Sequence, residues 1–82
     1  MIYEGEFVEG YRHGKGILKA PNSMKFEGDF TNERPNGNGD LTYENGDNYI
    51  GTFKDGEKDG FGTMKLAEEH KVIIGKWEKD QF

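Results

Sequence analysis

Few residues in this sequence have side chains of the kinds that carry out catalysis. Ser23 is the only serine and the chain has no cysteine, so there is almost no candidate for a nucleophile. The two histidines, His13 and His70, lie far apart in the sequence, which argues against a shared metal or acid–base role. We therefore expect no catalytic residue and predict that the protein is not an enzyme.

One acidic segment imitates a metal site. Asp55, Glu57 and Asp59 have the spacing that begins a calcium-binding loop. The twelfth position of such a loop must be a glutamate that binds calcium through both oxygens, and here it is Leu66. No Gly-X-Gly in the sequence completes a dinucleotide-binding or phosphate-binding motif. The sequence accordingly predicts no metal and no cofactor.

Four basic residues near the start of the chain are the best candidates for binding a charged ligand: Arg12, His13, Lys15 and Lys19. They are candidate contacts for the headgroups of anionic phospholipids, because each basic residue near an anionic membrane contributes about 1 kcal/mol. Stable binding requires a cluster of about four or more bases, and acidic residues such as Glu6 lie close by. The alternative is that these bases serve solubility and cross-strand pairing.

The composition limits the remaining classes. A net charge of −5 and a pI near 4.9 argue against binding of nucleic acid. The longest apolar run is Val72-Ile73-Ile74, far short of the roughly 20 apolar residues of a membrane-spanning helix. The acidic start of the chain does not resemble a signal peptide, and the absence of cysteine is typical of cytosolic proteins. We expect a cytoplasmic protein, with peripheral attachment to a membrane or to the cytoskeleton as a further option.

A repeat of 23 residues dominates the sequence. The segment Tyr3 to Phe7 returns at Phe26 to Phe30 and at Tyr49 to Phe53, each time with a central glycine, and a fourth copy at Ile73 to Trp77 follows after one extra residue. Gly-X-Gly recurs at the same interval, at 14–16, 37–39 and 60–62. We expect one domain over residues 1–82, with repeats at about 3–25, 26–48 and 49–72 and a partial fourth at 73–82.

Within each repeat the apolar period is two, which is typical of β-strands, and glycine at every second position excludes a helix. Each repeat is therefore a hairpin. Glu44-Asn45-Gly46 is predicted to be a three-residue loop between repeats, with Gly46 in the left-handed conformation. The loops inside the repeats are predicted to have about four residues, at 9–12, 32–35 and 55–58.

These loops set a register with three rows of residues on one face of the sheet. The central row, which we call the glycine lane, contains Gly5, Gly16, Gly28, Gly39, Gly51, Gly62 and Gly75. The outer rows carry the predicted aromatic face: Tyr3, Phe7, Phe26, Phe30, Tyr49, Phe53 and Trp77. In one outer row the rings are expected to alternate with Gly14, Gly37 and Gly60, so that Phe7 lies opposite Gly14.

The glycine lane has a steric reason. Cross-strand neighbours on one face stand about 4.5–5.5 Å apart, too close for a ring beside another large side chain. Rings from the outer rows can fold over the glycines instead. We therefore predict an all-β fold, a single-layer, twisted antiparallel sheet of tandem β-hairpins that is elongated, open-ended and uses its own aromatic residues as a core.

The pattern resembles the MORN (membrane occupation and recognition nexus) repeat. Tyr-X-Gly-X-aromatic, then Gly and Gly-X-Gly, runs from Tyr3 to Gly16 almost position for position, and the resemblance covers essentially the whole chain. Three departures occur. Phenylalanine stands where tryptophan is usual in three copies, Glu33 replaces the turn glycine of the second copy, and Ile73 begins the fourth.

The resemblance implies a noncatalytic interaction or scaffold module, which we expect to be part of a larger protein. Its partner would be a protein, bound as a helix or extended peptide at the aromatic–glycine face or at the sheet edges, and self-association through the edges is a variant. The rings of that face either bind the partner or pack on each other. The alternative function is recognition of anionic phospholipids, for example as the regulatory repeat segment of a phosphatidylinositol phosphate kinase.

Overall fold

Seven antiparallel strands form one open sheet in which spatial order follows chain order. The computed structural model describes all of residues 1–82. The strands are β1 (Ile2–Val8), β2 (Tyr11–Lys19), β3 (Lys25–Thr31), β4 (Arg34–Thr42), β5 (Asn48–Lys54), β6 (Glu57–Leu66) and β7 (Lys71–Trp77). The molecule measures 41 × 25 × 15 Å and is a single layer. The predicted all-β array of tandem hairpins is confirmed.

The central row of the sheet has the predicted register. Glycine pairs with glycine at every step across the sheet, through Gly5, Gly16, Gly28, Gly39, Gly51, Gly62 and Gly75. The neighbouring row also pairs as predicted, from Tyr3 with Leu18 at one end to Met64 with Ile73 at the other. The repeat spacing therefore places equivalent side chains in line on successive hairpins.

The loops inside the repeats are shorter than predicted. Each is a two-residue turn whose residues both have positive φ: Glu9–Gly10, Asn32–Glu33 and Asp55–Gly56. Two consecutive positive φ values are typical of the type I′ turn, whose twist matches that of the flanking strands. The predicted four-residue loops are wrong. A fourth turn of this kind, Lys79–Asp80, follows β7 and is closed by pairing of Glu78 with Gln81.

A bulge in each hairpin accompanies the shorter turn. Beyond the pair of Gly5 with Gly16 the register shifts, so that Phe7 lies opposite Arg12 and not opposite Gly14 as predicted. The second and third hairpins shift in the same way, and there Phe30 and Phe53 lie opposite Pro35 and Lys58, respectively. The predicted alignment of Phe7 with Gly14 inside one hairpin is therefore wrong, because a bulge inserts extra residues into the second strand.

The bulge also turns three glycines toward the opposite face. Gly14, Gly37 and Gly60 have φ values of +80°, +106° and +95°. A Cβ added at these glycines would meet side chains of the strand before, namely Glu6, Asp29 and Thr52. These glycines pair across the repeat boundary as predicted, but their expected place on the aromatic face is wrong. The left-handed backbone of the bulge favours glycine there.

Carboxylates close two of the three bulges. The backbone N–H of Lys15 donates to Glu6 Oε1 at 2.8 Å, and that of Asn38 donates to Asp29 Oδ2 at 3.2 Å. In the third hairpin the hydroxyl of Thr52 donates to the carbonyl of Asp59. These bonds satisfy backbone groups that the bulge removes from the strand ladder.

The predicted loop between the second and third repeats is confirmed. The N–H of Tyr43 donates to the carbonyl of Asp47 at 2.8 Å, which leaves three residues in the loop. The N–H of Gly46 donates to the carbonyl of Tyr43 at 3.0 Å, and Gly46 has a φ of +95°. This is the type I turn followed by a left-handed glycine that the sequence indicates.

The core lies on the face that carries the glycine lane. Its buried hydrophobic residues are Phe26, Phe30, Tyr49, Phe53, Met64 and Trp77. One charged residue, Lys58, is buried beside them. No helix in the structure is long and apolar enough to span a membrane.

Candidate functional site

The aromatic rings form one continuous series along the sheet, which we call the aromatic chain. Successive ring centroids are 5.0–5.4 Å apart, and all pairs but the last meet edge to face. This geometry places the positive edge of one ring against the negative face of the next. In order, the aromatic chain contains Phe7, Tyr3, Phe30, Phe26, Phe53, Tyr49, Trp77 and Phe82.

The glycine lane lies directly beneath these rings. A Cβ added at Gly16 would collide with the ring of Tyr3, and one at Gly62 would collide with the ring of Tyr49. Opposing glycines also approach each other, since a Cβ on Gly51 would lie 2.6 Å from the Cα of Gly62. The rings therefore pack on bare backbone, and any larger residue in the lane would displace a ring.

Burial divides the seven predicted aromatic residues into two groups. Tyr3 is half-buried and Phe7 is exposed. The other five are buried against each other within the chain: Phe26, Phe30, Tyr49, Phe53 and Trp77. Of the two roles that the sequence left open, these five rings are placed for packing. Both ends of the aromatic chain are exposed, at Phe7 on β1 and at Phe82 beyond β7.

A basic residue covers the rings where the first two repeats meet. The guanidinium of Arg12 lies 5.7 Å from the ring centroid of Tyr3 and 5.9 Å from that of Phe30, within cation–π range. Glu33 reaches back from the second turn, and its Oε1 accepts hydrogen bonds from the backbone N–H of Arg12 at 2.7 Å and from Nε at 3.3 Å. The backbone bond in particular holds the pKa of the Glu33 carboxyl below its ordinary value.

Lys58 occupies the equivalent position in the third repeat. Its Nζ donates to the hydroxyl of Tyr43 at 2.7 Å and lies 5.8 Å and 5.4 Å from the ring centroids of Tyr49 and Trp77. Asp80 Oδ1 accepts from the backbone N–H of Lys58 at 2.7 Å and lies 3.7 Å from Nζ. We call this arrangement of a base and the acid of the next turn a turn clasp. The structure contains two of them, Arg12–Glu33 and Lys58–Asp80.

The junction between the second and third repeats has no turn clasp. The residue equivalent to Arg12 and Lys58 is Pro35, which has neither a backbone N–H nor a charge. Facing it in the next turn is Gly56, whose N–H donates to the carbonyl of Pro35 at 2.9 Å. The second turn residue is therefore an acid where the facing residue of the neighbouring strand is a base. It is glycine where that facing residue is proline.

The end of the sheet at β7 is covered by a residue that the repeat pattern did not identify. Ile73 stands where the other repeats have a ring, and the ring of Phe82 lies over Gly75 instead. The centroids of Phe82 and Trp77 are 5.3 Å apart. The one signal in the sequence was the missing ring at Ile73. Beside this contact, the buried Nε1 of Trp77 has no hydrogen-bond acceptor.

Two tyrosine hydroxyls of the aromatic chain bond to backbone carbonyls. Tyr3 donates to the carbonyl of Glu6 at 2.9 Å, and Tyr49 donates to that of Thr52 at 3.2 Å. Burial raises the pKa of both Tyr3 and Tyr49 above the ordinary value of 10.0. Both phenols are therefore neutral donors at physiological pH, and they fix the rings against the bulged strands.

The four candidate headgroup-binding residues do not form one cluster. Arg12 lies over the rings in a turn clasp, whereas Lys15 lies on the opposite face with its Nζ 3.2 Å from Asp29 Oδ1. Lys19 is at the far end of β2, roughly 23 Å from Arg12 at 3.3 Å per residue. His13 lies half-buried in the bulge. The structure does not bring the four side chains around one ligand.

The residues with catalytic side-chain chemistry are also dispersed. Ser23 and His70 lie in different turns between strands, and both have positive φ. Asp55 and Glu57 belong to the third inner turn and the start of β6. No group of three or more histidine, cysteine, aspartate or glutamate side chains is arranged to hold a metal ion.

Tandem hairpins joined in one open sheet, with rings stacked over a lane of glycines, define the class of protein as a β-hairpin repeat array. The family model described as MORN repeat matches this chain three times, at residues 3–25, 26–48 and 49–68. The chain therefore belongs to the MORN-repeat family, and the predicted family is confirmed. A comparison with curated proteins found no match. MORN repeats are generally noncatalytic repeat modules, and this chain is composed of them.

Proposed function

We propose that this chain is a noncatalytic interaction module that binds an extended segment of a protein partner at the β1 edge of its sheet. The observation that carries the proposal is the exposure of Phe7. Its side chain is 58% exposed, whereas the equivalent residues Phe30, Phe53 and Trp77 are 2, 5 and 6% exposed. The residue at this position is therefore buried in the later repeats and exposed in the first, at the β1 edge.

The interior of the array shows what would close this position. Phe30 meets the ring of Tyr3 from the repeat before it at 5.2 Å, and Phe53 meets that of Phe26 at 5.0 Å. Among the rings, Phe7 meets only Tyr3 of its own repeat. An aromatic or aliphatic side chain of a partner, placed where a preceding ring would lie, would complete the same contact.

The backbone of β1 supports the same mode of binding. β1 pairs with β2 alone, so the N–H and C=O groups along its outer side can pair with an added strand. Ile2 and Val8 add exposed apolar surface to this edge. At the other end of the sheet Phe82 folds over Gly75. β7 likewise pairs with one strand only, but a ring of this chain already lies over its lane glycine, so we place the partner at β1.

The phospholipid alternative has less support. Arg12 is held in a turn clasp and Lys15 is paired with Asp29, on opposite faces of the sheet. A stable contact with anionic lipid requires a cluster of about four or more bases on one surface. The net charge of −5 adds a general repulsion from an anionic bilayer.

Selection of displayed peptides against the full chain would test the proposal, with the bound peptides mapped by amide chemical shifts. We expect enriched peptides with alternating apolar residues, and shifts concentrated along β1. Phe7→Lys should weaken their binding about tenfold or more, because it removes the apolar contact. The matched control is Phe61→Ser, which changes an exposed aromatic residue on another surface and should have no effect.

Two results would contradict the proposal. One is a selection in which no enriched peptide shifts amides of β1 or loses affinity in Phe7→Lys. The other is co-sedimentation with phosphoinositide-containing vesicles, at about 0.15 M salt, that is absent with neutral vesicles and lost in Arg12→Glu with Lys15→Glu. The second result would make the chain a membrane-recognition module.

A further inference from the structure

The face of the sheet turned away from the glycine lane carries a group of apolar side chains in the third and fourth repeats. Side chains alternate between faces along a strand, so the residues beside the lane glycines point to this back face. Thr63 pairs with Ile50 on one side and with Ile74 on the other. Phe61 and Val72 lie two residues along the same strands. We call Ile50, Phe61, Val72 and Ile74 the back-face patch.

The four side chains of the back-face patch are exposed and adjacent. Their exposed fractions are 47, 74, 56 and 75% in chain order. Phe61 is the diagonal neighbour of both Ile50 and Ile74, at the roughly 7–8 Å that separates diagonal positions, and Val72 lies two residues from Ile74 on β7. The core lies on the other face and does not include them. A contiguous exposed apolar group of this kind marks an interaction surface.

Three of the four positions of the back-face patch are polar in both of the first two repeats, and the equivalents of Val72 are Ile2 and Lys25. Glutamates, Glu4 and Glu27, stand at the positions equivalent to Ile50 and Ile74. Polar side chains likewise stand at both positions equivalent to Phe61. The hairpin backbone is the same in each repeat, so the fold does not require isoleucine or phenylalanine at these positions.

Two lysines beside the back-face patch have no acidic partner. Lys65 lies opposite Val72 and Lys76 lies opposite Phe61, and neither lysine forms a salt bridge. In the first two repeats, Lys15 and Lys25 of the same face are paired with Asp29 and Glu27, whereas Lys19, the equivalent of Lys65, also lacks a salt bridge. The patch is therefore an apolar surface with uncompensated positive charge at its border, in a chain whose net charge is −5.

We propose that the back-face patch binds a segment of another protein that presents apolar side chains next to carboxylates. The apolar side chains cover Phe61 and Ile74, and the carboxylates pair with Lys65 and Lys76. Asp40 lies opposite Ile50 and excludes carboxylates from the β4 side, so the acidic groups of the partner lie toward β7. This surface is separate from the β1 edge, and the module would hold two segments at the same time.

Other occupants fit the charges less well. A second copy of this chain, packed patch against patch, would bring four lysines together and leave them without carboxylates. An anionic membrane would meet only two free lysines, which is fewer than the cluster of about four that stable binding requires. An acidic and apolar protein segment supplies both of the groups that the patch lacks.

Two synthetic amphipathic peptides would test this inference. They share the same leucine positions, and one carries glutamates and the other lysines at its polar positions. Each is titrated into the isotope-labelled full chain at about 0.15 M salt. We expect the acidic peptide to bind about tenfold more tightly than the basic one, to shift amides of β6 and β7, and to weaken as salt is raised. Phe61→Ser and Lys76→Glu should each weaken it about tenfold.

The controls separate this inference from the proposed function. Phe7→Lys, which tests the β1 edge, should leave binding of the acidic peptide unchanged. Thermal melting checks that Phe61→Ser folds, and Ile74→Thr provides a second variant with high β-propensity. Equal binding of both peptides, or binding that survives all patch variants, would overturn the inference. So would a dimer that Phe61→Ser dissociates, or binding to phosphatidylserine vesicles that Phe61→Ser abolishes.

Discussion

The junctions between repeats differ in how the turn of one hairpin meets the strand before it. In all three, the N–H of the second turn residue donates to a backbone carbonyl of that strand at 2.9–3.0 Å. At the first and third junctions a turn acid also binds the backbone N–H and the charge of a base, in the clasps Arg12–Glu33 and Lys58–Asp80. The middle junction has Pro35 and Gly56, which form only the shared bond.

The difference shows how the turn residue depends on a strand that is distant in the sequence. Glu33 and Asp80 have φ values of 78° and 67°, a left-handed conformation that costs an ordinary residue about 1–2 kcal/mol. The turn clasp offsets this cost by satisfying a backbone N–H and a charge. Pro35 has no backbone N–H and no charge, so an acid facing it would carry the cost of the left-handed conformation with no compensating bond. Glycine adopts positive φ without strain and is the favourable residue there.

Gly39→Val should have the largest effect. Gly39 belongs to the glycine lane and pairs with Gly51 across the junction that has no turn clasp. A side chain at Gly39 would collide with the ring of Phe26. Overpacking of this kind costs about 3 kcal/mol or more in a chain this small, and we expect cooperative thermal melting to disappear. Asn38→Val, one residue away on the back face, is the control and should still melt cooperatively. A normal melt of Gly39→Val would disprove the packing of rings on the lane.

Asp80→Ala should have the next largest effect, since it opens the more buried of the two clasps. It leaves the backbone N–H of Lys58 without its acceptor and a buried ammonium without a carboxylate, at a cost of about 2 kcal/mol measured by chemical denaturation. Glu9→Ala changes an acid with a similar φ of 51° that forms no clasp, and should be nearly neutral. Equal losses in the two variants would mean that the clasp contributes nothing.

A new clasp at the middle junction would test the comparison directly. Gly56→Glu alone should cost about 1 kcal/mol, because it places an L-residue at positive φ opposite proline. When Pro35→Arg is added, the new glutamate can accept hydrogen bonds from the backbone N–H and the guanidinium of the new arginine. A double-mutant cycle should then give a favourable coupling of about 0.5–1 kcal/mol. Additive effects of the two changes would show that the pairing of turn and strand residues is coincidental.

The smallest expected effect is a dependence of stability on pH. The pKa of Glu33 is below its ordinary value of 4.5 in the folded state, so the unfolded chain takes up the proton first as the pH falls. The stabilisation by this carboxyl is therefore present above about pH 4.5 and is lost as the pH falls through the folded-state value. We expect the Tm difference between the wild type and Glu33→Gln to shrink toward zero in acid. A constant difference would exclude the carboxylate charge as the cause.

Periodicity in the sequence was enough to predict the glycine lane and the register across repeat boundaries, because a fixed interval aligns equivalent residues whatever the loops do. It did not predict the inner turns. Asp55-Gly56 is a strong signal for a two-residue turn, but a four-residue loop also satisfied the pairing of the glycine lane. Only the bulge distinguishes a two-residue turn from a four-residue loop. It lies between paired positions of the sheet and does not change the 23-residue period of the sequence.

The surface features were harder to predict for a different reason. The turn clasps join residues more than 20 positions apart, and their acids appear in the sequence only as departures from a motif glycine. Phe82 lies beyond the last motif residue, and only the structure shows that its ring replaces the one missing at Ile73. The exposure of Phe7 likewise depends on which neighbour lies at the edge, which the repeat pattern alone does not specify.

The pairing of each strand only with its neighbours in the chain gives the sheet a mechanical property. No contact between strands closes a loop much longer than one repeat, so the chain can zip together hairpin by hairpin and should fold fast for an all-β protein. Tension applied between its ends would reverse this order. Each hairpin that opens would release 23 residues, roughly 80 Å of extended chain, so the array would lengthen in steps.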